Sequence, residues 1–205
     1  MMPHIPLILA SGSPRRKTLL EAANIPFHIQ PSTLHEPDYS LSKSPPARQA
    51  EALAYLKARS VADRIDQPAL VLGADTLVHV RGRVLNKPAN QEQAREFLQT
   101  LSNSVHEVIT GVAIVRAPWR PGDRRIAHAR TRVHFTRMTE NDIADYLATG
   151  QWRDKAGAYA IQEQGADRFV SHIEGDMDNV VGLPVKLVQT MLRSLGWPCP
   201  PPVPA

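Results

Sequence analysis

The segment that most constrains this chain is Leu7-Ile-Leu-Ala-Ser-Gly-Ser-Pro-Arg-Arg16. A short apolar run stops at three small residues, and Pro14 and two arginines follow at once. Ser is a preferred N-cap, and Pro is favoured at the first helical position. The segment therefore predicts a strand, a tight turn, and a helix that begins at Pro14 with Ser13 as its cap. Free N–H groups and the macrodipole draw anions to such a helix start, and Arg15 and Arg16 add positive charge. The turn is a candidate phosphate site. The ordinary alternative is a plain strand-to-helix connection with solvated arginines.

The remaining pattern alternates strands with helices. Residues 27–30 read as a short strand, and 31–46 as a polar, proline-rich loop that carries Glu36. Residues 47–65 place apolar side chains at helical spacing. The run 69–74 is continuously apolar and fits a buried strand ending at Asp75. Residues 76–80 and 83–85 read as a hairpin turned by Arg81-Gly82. Asn90 is a natural cap for a helix through residue 100. Residues 105–115 and 126–135 read as long antiparallel strands, and 139–148 as a helix with Glu140 and Asp142 in its first turn. Beyond it, 158–162 and 168–173 are short strand candidates and 175–182 a glycine-bounded loop. A last helix opens at Leu183-Pro184. Crossovers mixed with hairpins argue for an α/β fold with a mixed, twisted sheet and flanking helices.

Composition enters as a filter. A length of 205 residues suits one domain, here 1–196, with 197–205 a proline-rich tail. The net charge of +4 fits an anionic ligand and is too small to require nucleic acid. Basic and aromatic residues are not interleaved as a nucleic-acid platform needs. The single cysteine, Cys199, excludes an internal disulfide and a cysteine zinc site, and favours a reducing compartment. Neither a membrane span nor a signal peptide is expected, so the chain reads as a soluble cytoplasmic protein.

Several side chains could carry chemistry. Asp75, at the carboxyl end of a buried strand, can hold a metal or take a proton from water. Its plainer role is to cap the turn with Thr76. Lys87, held extended before Pro88, can aim its amine. Lys57 sits on the helix of 47–65, and Glu36 is a possible metal carboxylate. Each of these three is otherwise a solvated surface residue. Gln162 carries both a donor and an acceptor, as reading a base edge requires. His106 reads as structural, because no second His or Cys stands at metal-ligand spacing.

In order along the chain, these signals form a recognisable set. Leu-Ala-Ser-Gly-Ser-Pro-Arg-Arg, Leu53-Ala-Tyr-Leu-Lys-Ala58, Gly73-Ala-Asp-Thr76, Asn86-Lys-Pro88, His106 through Thr110-Gly111, Asp154-Lys-Ala-Gly-Ala-Tyr-Ala-Ile-Gln162 and Asn179-Val-Val-Gly-Leu-Pro184 together resemble the Maf family. The resemblance covers roughly residues 7–195. It implies a nucleoside triphosphate pyrophosphatase that releases the monophosphate and pyrophosphate with a divalent cation, Mg²⁺ or Mn²⁺. It further implies two lobes around a cleft, similar to the inosine-triphosphate pyrophosphatases, and a homodimer. By the same resemblance Ser11, Arg15, Arg16, Lys57, Thr76, Lys87 and Gln162 bind substrate. Asp75 is the catalytic carboxylate, and Glu36 and Asp75 hold the metal. Arg15, Thr76 and Gln162 match the branch that takes dTTP and UTP, rather than the branch that takes 7-methyl-GTP. The sequence departs from the pattern at Glu163, where glycine is usual, and at Asn86 and Asn103. Two rival readings follow: turnover of 7-methyl-GTP or another non-canonical triphosphate, and a non-enzymatic nucleotide-binding regulator of septum formation. Loss of Asp75 or Lys87 would mark the second, and both are present.

Overall fold

The computed structural model describes residues 5–34, 44–120, 122–162 and 166–198. It is a mixed α/β structure. The strands are β1 (Leu7–Leu9), β2 (His28–Ile29), β3 (Ala69–Val80), β4 (Arg83–Leu85), β5 (Val105–Ala117), β6 (Arg124–Phe135) and β7 (Val170–Glu174). They form a seven-stranded sheet in the order β2-β1-β3-β5-β6-β7, with β4 paired to β3 off that path. β1 runs parallel to β2 and β3, while β4 is antiparallel to β3 and β7 to β6. The helices are α1 (Pro14–Ala22), α2 (Pro46–Ala62), α3 (Gln91–Leu101), α4 (Glu140–Ala148), α5 (Met177–Val181) and α6 (Val185–Ser194). No helix among the described residues is long and apolar enough to cross a membrane.

The chain forms two compact units. The first comprises residues 1–75, 110–129 and 182–205, and the second 76–109 and 130–181. One core cluster of the first unit packs small residues, including Ala54, Ala58, Val61, Ala62, Ala113 and Val115, beside buried leucines such as Leu7, Leu20 and Leu72. The second unit packs large ones, including Phe97, Phe135, Tyr146, Trp152, Tyr159 and Phe169.

The structure departs from the sequence expectation at four places. β3 does not stop at Asp75. It continues to Val80, because Val78, His79 and Val80 find partners on β4 after β1 has ended. Residues 158–162 are not a strand. Gly157 and Ala158 take φ of 70° and 63°, which a strand excludes, and the segment forms a single 3₁₀ turn at Ala156–Ala158. The loop 175–182 contains α5, whose start is held by the Asp176 side chain accepting from the Asp178 N–H at 3.0 Å. Trp197 is not part of a frayed tail: it is buried, and its indole N–H donates to the Ile5 carbonyl at 2.7 Å. Residues 199–205 lie outside the described residues.

Candidate active site

The first unit assembles its charged residues through backbone contact. Gly73 on β3 lies under α2, and a Cβ there would stand 2.2 Å from the Ala54 carbonyl oxygen and 2.7 Å from the Ala58 nitrogen. Gly111 on β5 meets Ala50 and Glu51 equally closely, at 2.2 and 2.5 Å. Helix and sheet therefore touch without intervening side chains, as glycine alone permits. This approach brings Lys57 on α2 to Asp75 on β3, two residues beyond Gly73. Lys57 Nζ donates to Asp75 Oδ1 at 2.6 Å, and both side chains are nearly buried, at 13% and 11% exposure. The register pairs Leu9 with Leu72. Asp75 is three residues beyond Leu72 and Ser11 two beyond Leu9, so both stand off the carboxyl end of β1, where ligands gather in such sheets.

The turn from β1 to α1 has its own bonding. Pro14 occupies the first helical turn as expected, and Ser13 is the N-cap residue, but its side chain makes no capping bond. Ser11 takes a different part: its Oγ accepts from the Ser13 N–H at 3.2 Å and from Arg16 Nη1 at 3.1 Å. Arg16 Nε donates to the Gly182 carbonyl at 2.9 Å. Arg15, half-buried, makes no hydrogen bond or ion pair with a described residue. Of the two arginines, one is engaged by the chain and the other is available to a ligand.

In the second unit, Thr76 is half-buried on β3 directly after Asp75, and Lys87 is exposed beyond β4. The Gly157 N–H donates to the Asn86 carbonyl at 3.2 Å, which fixes the backbone beside Lys87 against the turn that leads to Gln162. A Cβ at Gly157 would meet Val78 at 2.9 Å, so this turn also sits tightly on β3. Gln162 is exposed, in a turn rather than at a strand end. Glu36 and Glu163 lie outside the described residues.

His106 is buried among rings, edge-on to Phe135 and Tyr159 at 4.9 and 5.4 Å. Its Nε2 shares a 2.7 Å hydrogen bond with the Tyr159 hydroxyl. Burial pushes the imidazole down to about 4, with a lesser contribution from His134. Burial raises the Tyr159 hydroxyl above its ordinary value, so both groups are neutral near pH 7. His106 is thus a structural residue, as its isolation from other ligand types implies.

Sequence reading missed the close packing of Gly73 and Gly111 against α2 and the bond from Arg16 to Gly182, although all three glycines stand in its motifs. A glycine inside an apolar run is the signal that could have found the first two, because it marks close backbone approach.

The Maf-like protein family model matches residues 6–195. The chain belongs to the Maf family. A dTTP/UTP pyrophosphatase of Moorella thermoacetica is 50% identical over 93% of this chain and 95% of that protein. One from Alkaliphilus metalliredigens is 47% identical over 87% of this chain and 90% of its own length. One from Geobacillus sp. strain WCH70 is 46% identical over 93% and 98%. Among solved structures, a nucleoside-triphosphatase / dITP/XTP pyrophosphatase of Mycobacterium abscessus aligns over 94% of this chain and 96% of that one, with a TM-score of 0.40 and 14% identity.

Proposed function

We propose that this Maf protein is a nucleoside triphosphate pyrophosphatase acting on dTTP and UTP, yielding the monophosphate and pyrophosphate. The observation that carries the reading is the nearly buried Lys57–Asp75 pair at 2.6 Å, standing off the end of β1 beside the Ser11–Arg16 turn. A triphosphate brings about four negative charges, and phosphate recognition calls for fixed cations and backbone donors. Arg15, the start of α1 and Lys57 supply them in the first unit, and the family resemblance assigns Lys87 to substrate as well. Lys57 also offsets the repulsion that Asp75 would otherwise present to an anion.

In this reading Asp75 takes the proton from a water that attacks the α-phosphorus, and pyrophosphate leaves with the bond electrons. Positioning and charge stabilisation supply most of the acceleration in such transfers. The donor set fits a hard divalent cation such as Mg²⁺ or Mn²⁺: Asp75 offers carboxylate oxygen, and Mg²⁺ commonly binds one or two carboxylates together with substrate phosphates. A bound cation would polarise the phosphates and acidify water. Thr76 and Gln162 are assigned to base selection with Arg15, and Glu36 to the metal. A reducing cytoplasm suits the lone Cys199, and a homodimer is the assembly the family resemblance implies, testable by sedimentation.

The deciding experiment is kcat/KM for dTTP, UTP, CTP, GTP and 7-methyl-GTP on one preparation, read as pyrophosphate release. dTTP and UTP are expected to lead. A tenfold lead by 7-methyl-GTP or CTP would overturn the base assignment alone, whereas no pyrophosphate from any triphosphate would overturn the enzyme reading.

A further inference from the structure

The family resemblance makes Arg16 a substrate ligand, yet its guanidinium is engaged by the chain. Nε donates to the Gly182 carbonyl at 2.9 Å, and Nη1 to Ser11 Oγ at 3.1 Å. The Ser13 N–H gives the same oxygen a second bond at 3.2 Å. A serine oxygen has two acceptor sites and one proton. With both acceptor sites of Ser11 filled, the one bond left to it is a donated one, and among the described residues nothing receives it. Gly182, whose φ of 125° disfavours any side chain, orients the carbonyl on which Arg16 rests. The Gly182-Leu-Pro184 segment, singled out in the sequence and otherwise without a role, is thus tied to the phosphate turn by one side chain.

We propose that Arg16 is a positioning residue: it fixes the Ser11 hydroxyl as a donor to a substrate phosphate oxygen and is anchored by the Gly182 carbonyl, while Arg15 meets the phosphates directly. The proposal rests on reading this turn as a phosphate site. It makes the two arginines unequal, where the motif alone presents them as a pair.

The test measures UTP turnover, and calorimetric binding of tripolyphosphate, for wild type, Ser11→Ala, Arg16→Ala, Arg16→Lys and the double variant Ser11→Ala/Arg16→Ala. Removing a hydrogen bond to a charged group costs roughly 10- to 100-fold, expected for each alanine variant alone. Two residues acting through one bond do not add, so the double variant falls within about threefold of the worse single. Arg16→Lys keeps the charge but lacks the planar fork that bridges two acceptors, so it stays within about threefold of Arg16→Ala. Gly182→Ala lowers activity and adds little to Arg16→Ala, with melting temperature reporting whether it folds. Arg15→Ala multiplies with Ser11→Ala instead. A double variant as weak as the product of the singles, or recovery of most activity by Arg16→Lys, overturns the proposal. Wild type that binds tripolyphosphate with the non-additive pattern but turns over no triphosphate leaves Arg16 as proposed and removes the function reading. Turnover of UTP with an additive pattern does the reverse, and the absence of both tripolyphosphate binding and turnover of any triphosphate overturns both.

Discussion

Two core clusters, one in each unit, bury different kinds of side chain, and each holds a polar group in its own way. In the first, alanines and glycines let α2 lie on β3 and β5 backbone to backbone. The Lys57–Asp75 pair is set by main-chain positions that cannot shift without moving a whole element. In the second, aromatic rings fill the space, and a buried imidazole is held by ring edges and a single hydroxyl. Small residues give an unyielding charged pair; large ones give a pocket for a neutral histidine. Each arrangement fails in its own way, which allows them to be told apart.

The largest effect is expected at the pair itself. Asp75→Asn keeps the side-chain shape but removes the proton acceptor, and general-base losses run to ~10²–10⁴-fold. The variant should melt near wild type and release pyrophosphate from UTP at that reduced rate. Activity within about threefold of wild type would show that Asp75 is not the base. Next comes Gly73→Ala. The added methyl meets backbone rather than a yielding side chain, so destabilisation should exceed the usual overpacking cost of ~1–3 kcal/mol. Chemical denaturation measures it. The second unit's exposed hairpin glycine, Gly82, has open space around its Cβ position, so Gly82→Ala meets no clash and costs only its positive-φ strain. Equal losses at the two glycines would contradict the account of the first unit.

Much of this was legible before the structure. The β1–α1 turn, the Asn90 and Thr139 helix starts and the Arg81-Gly82 hairpin all follow local rules, because each is specified by residues a few positions apart. Asp75 was legible as a residue of interest but not as a partner of Lys57, since 18 residues separate them and only the Gly73 contact brings them together. The strand expected at 158–162 failed because its apolar residues suggest extension, while Gly157 and Ala158 turn the backbone to positive φ. Arg16 and Gly182 lie 166 residues apart, a bond that no spacing rule anticipates.

Acid should strike the second unit through His106. Its folded value of about 4 lies below the ordinary 6.5, so the unfolded chain binds the proton first. Stability from this group is complete above pH 6.5, falls as pH drops from 6.5 toward 4, and is flat below. The span amounts to roughly 3 kcal/mol. His106→Phe, which cannot bind a proton, should flatten the denaturation midpoint across that window. An unchanged slope would mean that the acid sensitivity originates elsewhere. Glu174, held below the usual carboxylate range chiefly by its bond with His134, contributes in the same direction but at lower pH.

The smallest effect separates two helix starts. Thr139 and Asp142 form a complete capping box on α4: the Thr139 Oγ1 accepts from the Asp142 N–H at 3.1 Å, and the Asp142 carboxylate accepts from the Thr139 N–H at 2.8 Å. The Thr139 hydroxyl, donating to the same carboxylate at 2.7 Å, and then the Thr139 N–H hold the Asp142 carboxyl below its ordinary value. Ser13 occupies the same position on α1 and caps nothing with its side chain. Thr139→Ala should therefore cost about 1 kcal/mol, the usual value of a lost cap. Ser13→Ala should cost only a few tenths of that, because there is no side-chain cap to lose. The contrast has a functional side. On α4 the capping box satisfies the N–H groups of Thr139 and Asp142, whereas the first turn of α1 receives no bond from the Ser13 hydroxyl and remains suited to an anion. Pyrophosphate should accordingly raise the melting temperature of wild type and of Thr139→Ala by the same amount. A Ser13→Ala loss equal to that of Thr139→Ala would show that α1 is capped by Ser13 after all, and that its first turn is closed to phosphate.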